Sequence, residues 1–325
     1  MRSLVAAGSI LAALASAGLA QAQTYPNKVI TMVVAYAPGG PGDTAARSIA
    51  DRMSAALGQQ IVIENVAGAG GMTGAARVAR AEPDGYTLLV HQTGLVIGPA
   101  LYPKIPFDVE KDLAAVGLVN NSYSFLAARK SLPANNFAEL VAWMKGPGKP
   151  AKFAHPGVGT LAHLQAVLFA QAIGAEVDLI PYRGGGPAMN DVIAGHVDMV
   201  WAAPSTSAPL IEAGTVKGFV FGANKRYPAQ PNVPSATEVG HKALDISFWH
   251  ALFVPAATPR PIVDKLNAAL RETLADPQVQ KTYAERGLES FPPEQLSPEA
   301  ATTFVKAELQ RWGKVVRDNN IQGSP

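Results

Sequence analysis

The chain has 325 residues, of which 48% are hydrophobic and 16% are charged, and its formal net charge is +2. A chain of this size can bury a large core, and its length is typical of two domains. The near-neutral charge argues against nucleic acid or an anionic membrane as a partner. The chain has no cysteine, which excludes disulfides and a lipid anchor attached through cysteine.

The N-terminal segment is typical of a secretory signal. It has a short basic start at Met1-Arg2, continues through the apolar stretch Leu4 to Leu14, and ends in the A-x-A cleavage pattern Ala20-Gln21-Ala22. The apolar stretch is too short for a membrane-spanning helix. We therefore predict a cleaved signal peptide over residues 1–22 and a mature protein located in the bacterial periplasm.

The first half of the chain alternates between predicted strands and helices. The β-branched run Val29 to Val34 predicts a strand, residues 36–47 predict a Gly/Pro turn followed by the start of a helix, and Gly58 marks the end of that helix. The next predicted elements are a strand at 61–63, a tight turn at 68–71, a helix at 73–80 and a strand at 86–90. This alternation predicts a mostly parallel sheet with helices on both faces.

A second α/β pattern starts after Pro133. Its predicted helices lie at 137–144, at 161–172 with Gly174 marking the end, and at 184–195 with Gly195 closing the helix. Its predicted strands lie at 153–155, 177–181, 197–201 and 217–222. A strand at 248–254 and three C-terminal helices complete the chain. Each of these helices is predicted to start at a capping residue followed by proline, in the pairs Thr258-Pro259, Asp276-Pro277 and Ser297-Pro298.

These patterns predict an α/β fold with two lobes. The first lobe is expected to contain residues 23–123 and 247–325, and the second residues 124–246. The chain would then cross between the lobes twice, near residues 123 and 247. Two crossings make a hinge, and a cleft between lobes is a common place for a small ligand.

Two glycine-rich turns, 38–44 and 157–161, each follow a predicted strand and precede a helix. A helix N-terminus has up to four unpaired N–H groups and roughly +0.5 of an elementary charge, so it attracts an anion such as a carboxylate. Each turn alone could be an ordinary β-α connection. Two such turns that face each other across a cleft could hold both ends of a dianion.

Candidate ligand-binding residues lie in these turns and at the ends of nearby strands. Asp43 could contact a ligand, or it could stabilise the helix start and pair with Arg47 at i,i+4. Thr160 is predicted to cap its helix and to neighbour the ligand, whereas His163 could be purely structural. The candidates are Pro38, Gly39, Gly40, Gly42, Asp43, Thr44, His91, Gln92, Thr93, Gly157, Gly159, Thr160, Leu161, His163, Tyr182 and Asn190.

Enzyme motifs are missing from the sequence. The stretch 68–74 has the spacing G-x-G-x-x-x-G and so misses the dinucleotide fingerprint, and there is neither a phosphate-binding P-loop nor a G-x-S-x-G elbow. The six histidines have no metal-binding spacing. We expect no catalytic residue, no metal and no cofactor, although a periplasmic hydrolase stays an alternative.

A set of motifs in a fixed order spans nearly the whole mature chain. The set resembles that of the Bug-type solute-binding proteins of tripartite tricarboxylate transport systems, which have the periplasmic binding protein type II fold. The motifs are Pro38–Asp43 with Arg47, Gly58–Asn65 with Gly68–Gly71, Pro83–Leu89, Gly159-Thr160 with His163-Leu164, Pro181–Gly185, and Pro234 with Glu238–Gly240.

The resemblance implies how such a protein works. The loops 38–44 and 157–161 would hold one carboxylate through main-chain groups and ordered water, and the lobes would close on the ligand. The ligand would be a di- or tricarboxylate, an acidic amino acid or an aromatic acid. The receptor, expected to be a monomer, would deliver it to membrane permease subunits, and a sensor kinase is the alternative partner.

Overall fold

The computed structural model describes residues 25–102, 104–148 and 150–321. The predicted signal peptide at residues 1–22 lies outside the described residues. The strands are β1 (Ile30–Val34), β2 (Ile61–Asn65), β3 (Thr87–Gln92), β4 (Leu113–Ser122), β5 (Phe125–Arg129), β6 (Ala151–His155), β7 (Val177–Pro181), β8 (Met199–Ala202), β9 (Val216–Phe221), β10 (Phe248–Pro255) and β11 (Leu288–Glu289).

The helices alternate with these strands. They are α1 (Pro41–Leu57), α2 (Met72–Ala79), α3 (Gly94–Leu101), α4 (Val109–Asp112), α5 (Phe137–Lys145), α6 (Leu161–Ile173), α7 (Gly185–Ala194), α8 (Pro204–Glu212), α9 (Arg260–Ala275), α10 (Pro277–Arg286) and α11 (Pro298–Asp318). No helix in the described part of the chain is both long and apolar enough to cross a membrane.

Two separate sheets organise these elements. The first sheet has the strand order β11-β4-β10-β3-β1-β2, and the second has the order β7-β6-β8-β5-β9. In the first sheet β1 is parallel to β2 and β3, whereas β10 is antiparallel to β3 and β4. In the second sheet β6 is parallel to β7 and β8. The predicted α/β class with parallel pairing is therefore confirmed.

The chain passes between the sheets twice. It leaves the first sheet after Ser122 and enters the second at Phe125, and it leaves the second at Phe221 and returns to the first at Phe248. We call each sheet with its packed helices a lobe. The exact lobe boundaries stay a prediction. Because β10 is antiparallel to β3 and β4, its start lies at the same edge as their carboxyl ends.

Apolar layers cover both faces of the first sheet. One face packs against α1 and α9 through side chains such as Ile49, Met53 and Leu266, all fully buried. The opposite face packs against α2, α3 and α11, where Trp312 is buried. The C-terminal helices thus belong to the first lobe. Burying each large apolar side chain stabilises the fold by about 1.5–3 kcal/mol.

Several predicted helix ends are confirmed by backbone geometry. Gly58, Gly174 and Gly195 close α1, α6 and α7 in the left-handed conformation, with φ of 69°, 64° and 81°. Glycine adopts this conformation without the steric cost that a Cβ would add. These positions were recognisable from sequence because each glycine follows the last apolar residue of a helical pattern.

The predicted helix starts need one correction. The side chains of Asp276 and Ser297 do accept hydrogen bonds from the first turns of α10 and α11. The prediction for Thr258 is wrong: α9 starts one residue later, with Pro259 at the N-cap and no side-chain cap. Pro259 has ψ of 136°, so it cannot be the first helical residue. The helices α3 and α8 and the strands β4 and β5 were not predicted.

Candidate functional site

Each glycine-rich turn lies where its lobe meets the other lobe. The turn before α1 comes from the carboxyl end of β1, and the turn before α6 comes from the carboxyl end of β6. A cavity of about 350 Å³ lies between the lobes beside the first turn. It is lined from the first lobe by Gly39, Thr44, Glu285 and Arg286, and from the second by Pro204, Ser205, Thr206, Ala208, Pro209, Glu212, Tyr227, Ala229 and Gln230.

The first turn is fixed by the Asp43 carboxylate. One oxygen, Oδ2, accepts from the Gly39 N–H at 3.0 Å and from Arg47 Nε at 2.9 Å, and Oδ1 accepts from Asn65 Nδ2 at 3.0 Å. Burial acts to raise the pKa of Asp43, but these three hydrogen bonds outweigh it and hold the pKa below its usual value. The expected i,i+4 pair with Arg47 is present. Asp43 therefore organises the turn.

Backbone N–H groups remain free at the start of α1. Thr44 N–H donates to the Gly40 carbonyl at 2.9 Å, and Gly39 N–H is used by Asp43. The N–H groups of Gly40, Gly42 and Asp43 have no acceptor within the described residues. Main-chain donors of this kind bind an anion without a cationic side chain. The Gly39 N–H, in contrast, donates to the Asp43 carboxylate.

The second turn is held by neutral groups. Thr160 Oγ1 donates to the Gly157 carbonyl at 2.7 Å, and the Thr160 N–H points to the same carbonyl at 3.3 Å. Thr160 occupies the predicted N-cap position, but its hydroxyl turns back into the loop and makes no capping hydrogen bond to the helix. Gly159 N–H donates to His163 Nδ1 at 3.4 Å. The N–H groups of Leu161 and Ala162 stay without an acceptor in the described chain.

His163 is a neutral acceptor in this arrangement. Its ring packs on His155, with centroids 4.6 Å apart. Burial lowers the pKa of His163 to about 4, and the nearby His155 adds to this effect. Burial also lowers the pKa of His155. His163 is therefore uncharged at neutral pH, as its role as an acceptor for Gly159 requires.

A direct hydrogen bond joins the lobes at the second turn. The hydroxyl of Tyr102, just after α3, donates to the Val158 carbonyl at 2.9 Å. Gly159 has φ of 82°, a left-handed conformation that favours glycine, and a Cβ there would lie 3.0 Å from Leu101 Cδ1 and 3.3 Å from the Tyr102 hydroxyl, so both side chains would have to shift. Leu161 also packs in the first lobe's core. The second turn is therefore shaped by both lobes.

His91, Gln92 and Thr93, predicted to follow a strand that ends at residue 90, are all buried. The strand is longer than predicted, so His91 and Gln92 are the last residues of β3 and only Thr93 follows it. His91 accepts from Gln92 N–H at 2.8 Å, and its Nε2 faces the Gly71 carbonyl at 3.2 Å. Burial lowers the pKa of His91 to about 4. Thr93 Oγ1 accepts from Trp249 N–H at 3.4 Å. These bonds fix the loop that leads into α3.

Tyr182, Asn190 and Pro38 are further candidates from the sequence. Tyr182 donates its hydroxyl to Asp191 Oδ2 at 2.6 Å, and Asn190 is exposed on α7. Pro38 is exposed at the tip of the first turn. A ligand contact for any of the candidate residues stays a prediction.

Sequence reasoning missed several residues at this cleft. Ser205 and Thr206 follow β8, and the rule that ligands lie beyond the carboxyl ends of parallel strands would have found them. Tyr102 carried no local signal, because its partner Val158 is 56 residues away.

The chain matches a known family along most of its length. A family model described as "Tripartite tricarboxylate transporter family receptor" matches residues 45–321. The chain belongs to this receptor family. It is 38% identical to a UPF0065 protein of Agrobacterium vitis, covering 92% of this chain and 87% of that protein. It is 34% identical to BugT of Bordetella pertussis, covering 95% of each chain.

Solved structures agree with this assignment. The periplasmic binding protein BugD gives a TM-score of 0.87 at 34% identity, covering 92% of this chain and all of that chain. MatC from Rhodopseudomonas palustris with bound malate gives a TM-score of 0.84 at 36% identity, covering 90% of this chain and 100% of that chain. An R. palustris protein with adipate gives a TM-score of 0.86 at 29% identity, covering 92% of this chain and 100% of that chain.

These comparisons confirm the Bug-type resemblance and the periplasmic binding protein fold. The receptor family and the solved structures are those of solute-binding proteins, and the family implies a location outside the cytoplasm. Among the described residues no group of acidic and histidine side chains could hold a metal ion.

Proposed function

We propose that this receptor binds a small carboxylate in the cleft between its lobes and delivers it to the membrane permease of a tripartite tricarboxylate transporter. The observation that carries the proposal is the pair of helix starts with free N–H groups, one on each lobe. These donors select a carboxylate without a cationic side chain. Malate in MatC and adipate in the R. palustris protein support this ligand class.

In this proposal the chain is exported, loses residues 1–22 and works as a monomer in the periplasm. The ligand class includes di- and tricarboxylates, acidic amino acids and aromatic acids. Transport is preferred to sensing because the family description names a transporter. In this proposal the protein binds its ligand and does not catalyse a reaction.

A carboxylate panel tests the ligand class. The mature protein is mixed with malate, succinate, citrate, adipate, glutamate and benzoate, and its melting temperature is measured with and without each acid. A ligand that binds only the folded state stabilises it by RT ln(1 + [L]/Kd), so the shift rises with the logarithm of concentration. Calorimetry then gives Kd. A panel in which no acid raises the melting temperature would contradict the proposal.

The main-chain donors are tested at Gly40. Its φ of −82° suits proline, so Gly40→Pro removes a free N–H without backbone strain at that residue. Gly40→Ala is the matched control, because it keeps the N–H and its Cβ would lie 3.5 Å from the nearest atom, the Ala37 carbonyl oxygen. We expect Kd to rise at least tenfold in the proline variant and to stay within twofold in the alanine variant. Equal affinities in both variants would place the carboxylate elsewhere.

A further inference from the structure

A close contact joins the two lobes at the end of α10. Gly287, the residue after α10, has φ of 65°, a left-handed conformation that favours glycine. A Cβ on Gly287 would lie 2.5 Å from Pro204 Cβ, 2.9 Å from Pro204 Cγ and 2.8 Å from the Tyr227 hydroxyl oxygen. Pro204 starts α8 and Tyr227 follows β9, so both belong to the second lobe. The lobes can approach this closely because residue 287 has no side chain.

This contact lies beside both crossings of the chain. Ser122, the last residue of β4 before the first crossing, donates its hydroxyl to the Gly287 carbonyl at 2.9 Å. Ser122 is paired on one side with Phe248, where the chain returns from the second lobe, and on the other side with Leu288. When lobes turn about their crossings as rigid bodies, a displacement next to the crossings becomes larger at points farther away.

The first lobe holds the end of α10 firmly. Tyr283, one turn before Gly287, is buried in the core of this lobe, and its hydroxyl donates to the Val119 carbonyl at 3.2 Å. Leu288 and Glu289 form β11, which pairs with the end of β4. Residue 287 therefore cannot move away from the second lobe without breaking contacts on both of its sides.

The second lobe holds its side of the contact equally firmly. Pro204 is buried, and its ring is closed onto the backbone, so its Cβ and Cγ cannot rotate away from residue 287. The Tyr227 ring packs on Phe125 and Phe221, with centroids 5.6 Å and 5.5 Å apart. Since neither side can rearrange alone, an added side chain at residue 287 would push the lobes apart.

Such a separation would change the cavity between the lobes. Pro204 and Tyr227 line this cavity from the second lobe, and Arg286, the neighbour of Gly287, lines it from the first. Moving the lobes apart at residue 287 would widen the cavity. A ligand that contacts both lobes at once would then lose part of its contacts with one of them.

We propose that Gly287 is a positioning residue that allows the lobes to close over the bound carboxylate. Pro204 and Tyr227 occupy the space that a side chain at residue 287 would fill. This inference rests on the proposed function and adds to it a residue that acts through the approach of the lobes and not through contact with the ligand.

The first test compares Gly287→Ala with Gly58→Ala. Gly58 ends α1 with φ of 69°, and a Cβ there would have no heavy atom within 4 Å. Both variants place alanine in the same left-handed conformation, so the melting temperature without acid should fall by similar amounts in both. Only Gly287→Ala adds the clash between the lobes. We expect Kd to rise tenfold or more in Gly287→Ala and to stay within twofold in Gly58→Ala.

Calorimetry measures Kd for the acid that binds the native protein most tightly among malate, succinate, citrate, adipate, glutamate and benzoate. Small-angle X-ray scattering with and without a saturating concentration of that acid should show that the native protein contracts more than Gly287→Ala does. Equal Kd values or equal contraction in Gly287→Ala and Gly58→Ala overturn the inference and leave the carboxylate receptor standing. A panel in which no acid binds the native protein overturns both.

The second test removes the atoms that an alanine at residue 287 would meet. Pro204→Gly combined with Tyr227→Phe deletes all three of them. In this background Gly287→Ala should raise Kd less than threefold. A tenfold rise there would show that backbone strain weakens binding, and it would overturn the inference. If Gly287→Ala alone does not fold, recovery of folding in this background supports the contact, and failure to recover contradicts it.

Discussion

The turns at 38–44 and 157–161 have the same place in their lobes, since each joins a parallel strand to a helix whose first N–H groups are free. They are held in different ways. The first turn is fixed within its own lobe by the charged Asp43. The second is held by neutral groups and by Tyr102 from the other lobe. The first turn is thus held within its own lobe, whereas the second also depends on a contact from the first lobe.

The largest effect is expected from removing the negative charge of Asp43, whose carboxylate fixes the first turn. In Asp43→Asn the side chain can no longer accept from Gly39, Arg47 and Asn65 together, so the turn loses its shape. We expect Kd for the bound acid to rise about 100-fold, which corresponds to about 3 kcal/mol. Calorimetry measures this change. Arg47→Gln is the control, because it removes only one exposed partner of Asp43. An equal rise in Kd in that variant would show that binding depends on the ion pair between Asp43 and Arg47 and not on the other hydrogen bonds of the turn.

Because His163 beside the second turn is buried and neutral, we expect the stability of the protein to depend on pH. His163 has its pKa lowered to about 4 in the folded protein, and an unperturbed histidine has a value of 6.5. The unfolded chain therefore binds a proton first as the pH falls, and the free energy of unfolding decreases below pH 6.5. Between pH 7 and 5 His163 alone is expected to contribute a loss of about 2 kcal/mol.

Urea unfolding at pH 7 and pH 5 measures this dependence. His163→Gln should show a smaller loss than the native chain, by about the same 2 kcal/mol. The exposed His196, replaced by Gln, is the control and should leave the loss unchanged. If the stability of His163→Gln and of the native chain depends on pH in the same way, the His163 ring is not held neutral by burial.

A smaller effect is expected from the contact between the lobes. Tyr102→Phe keeps the ring and removes the hydroxyl that donates to Val158. We expect Kd to rise about fivefold, which is about 1 kcal/mol for one hydrogen bond, mainly through faster dissociation. Stopped-flow fluorescence measures the rate.

The matched control for this variant is Tyr25→Phe. Tyr25 donates its hydroxyl to the Gly85 carbonyl at 2.8 Å, within the first lobe and away from the cleft. Its removal should lower stability without changing the dissociation rate. Equal dissociation rates in Tyr102→Phe and the native receptor would show that the second turn does not depend on the first lobe.

The smallest effect is expected at Thr160. Its hydroxyl supports the Gly157 carbonyl from within the same turn, and the Thr160 N–H reaches that carbonyl too. Thr160→Val should therefore raise Kd only about two- to threefold, or about 0.5 kcal/mol. Thr160→Ser, which keeps the hydroxyl, should bind as the native chain does. A large loss in both variants would indicate a requirement for the methyl group.

Local patterns in the sequence were enough for much of this fold. Gly58, Gly174 and Gly195 marked helix ends, because the residue that ends a helix is often in the left-handed conformation, which glycine adopts readily. The glycine-rich turns marked the two helix starts that carry the free donors. Strand β10 was visible as an apolar run, but its antiparallel place between β3 and β4 was not.

The sequence by itself thus determined the two lobes' α/β character and both glycine-rich turns, since turn chemistry and helical spacing depend on neighbouring residues. Only the tertiary structure decided which N–H groups stay free, because the acceptors that occupy Gly39 and Gly159 depend on side-chain directions. It also decided that Tyr102 meets Val158, and that His250 lies between Gln92 and Asn120. Contacts between residues far apart in the chain depend on how the sheets are assembled, and no local pattern encodes them.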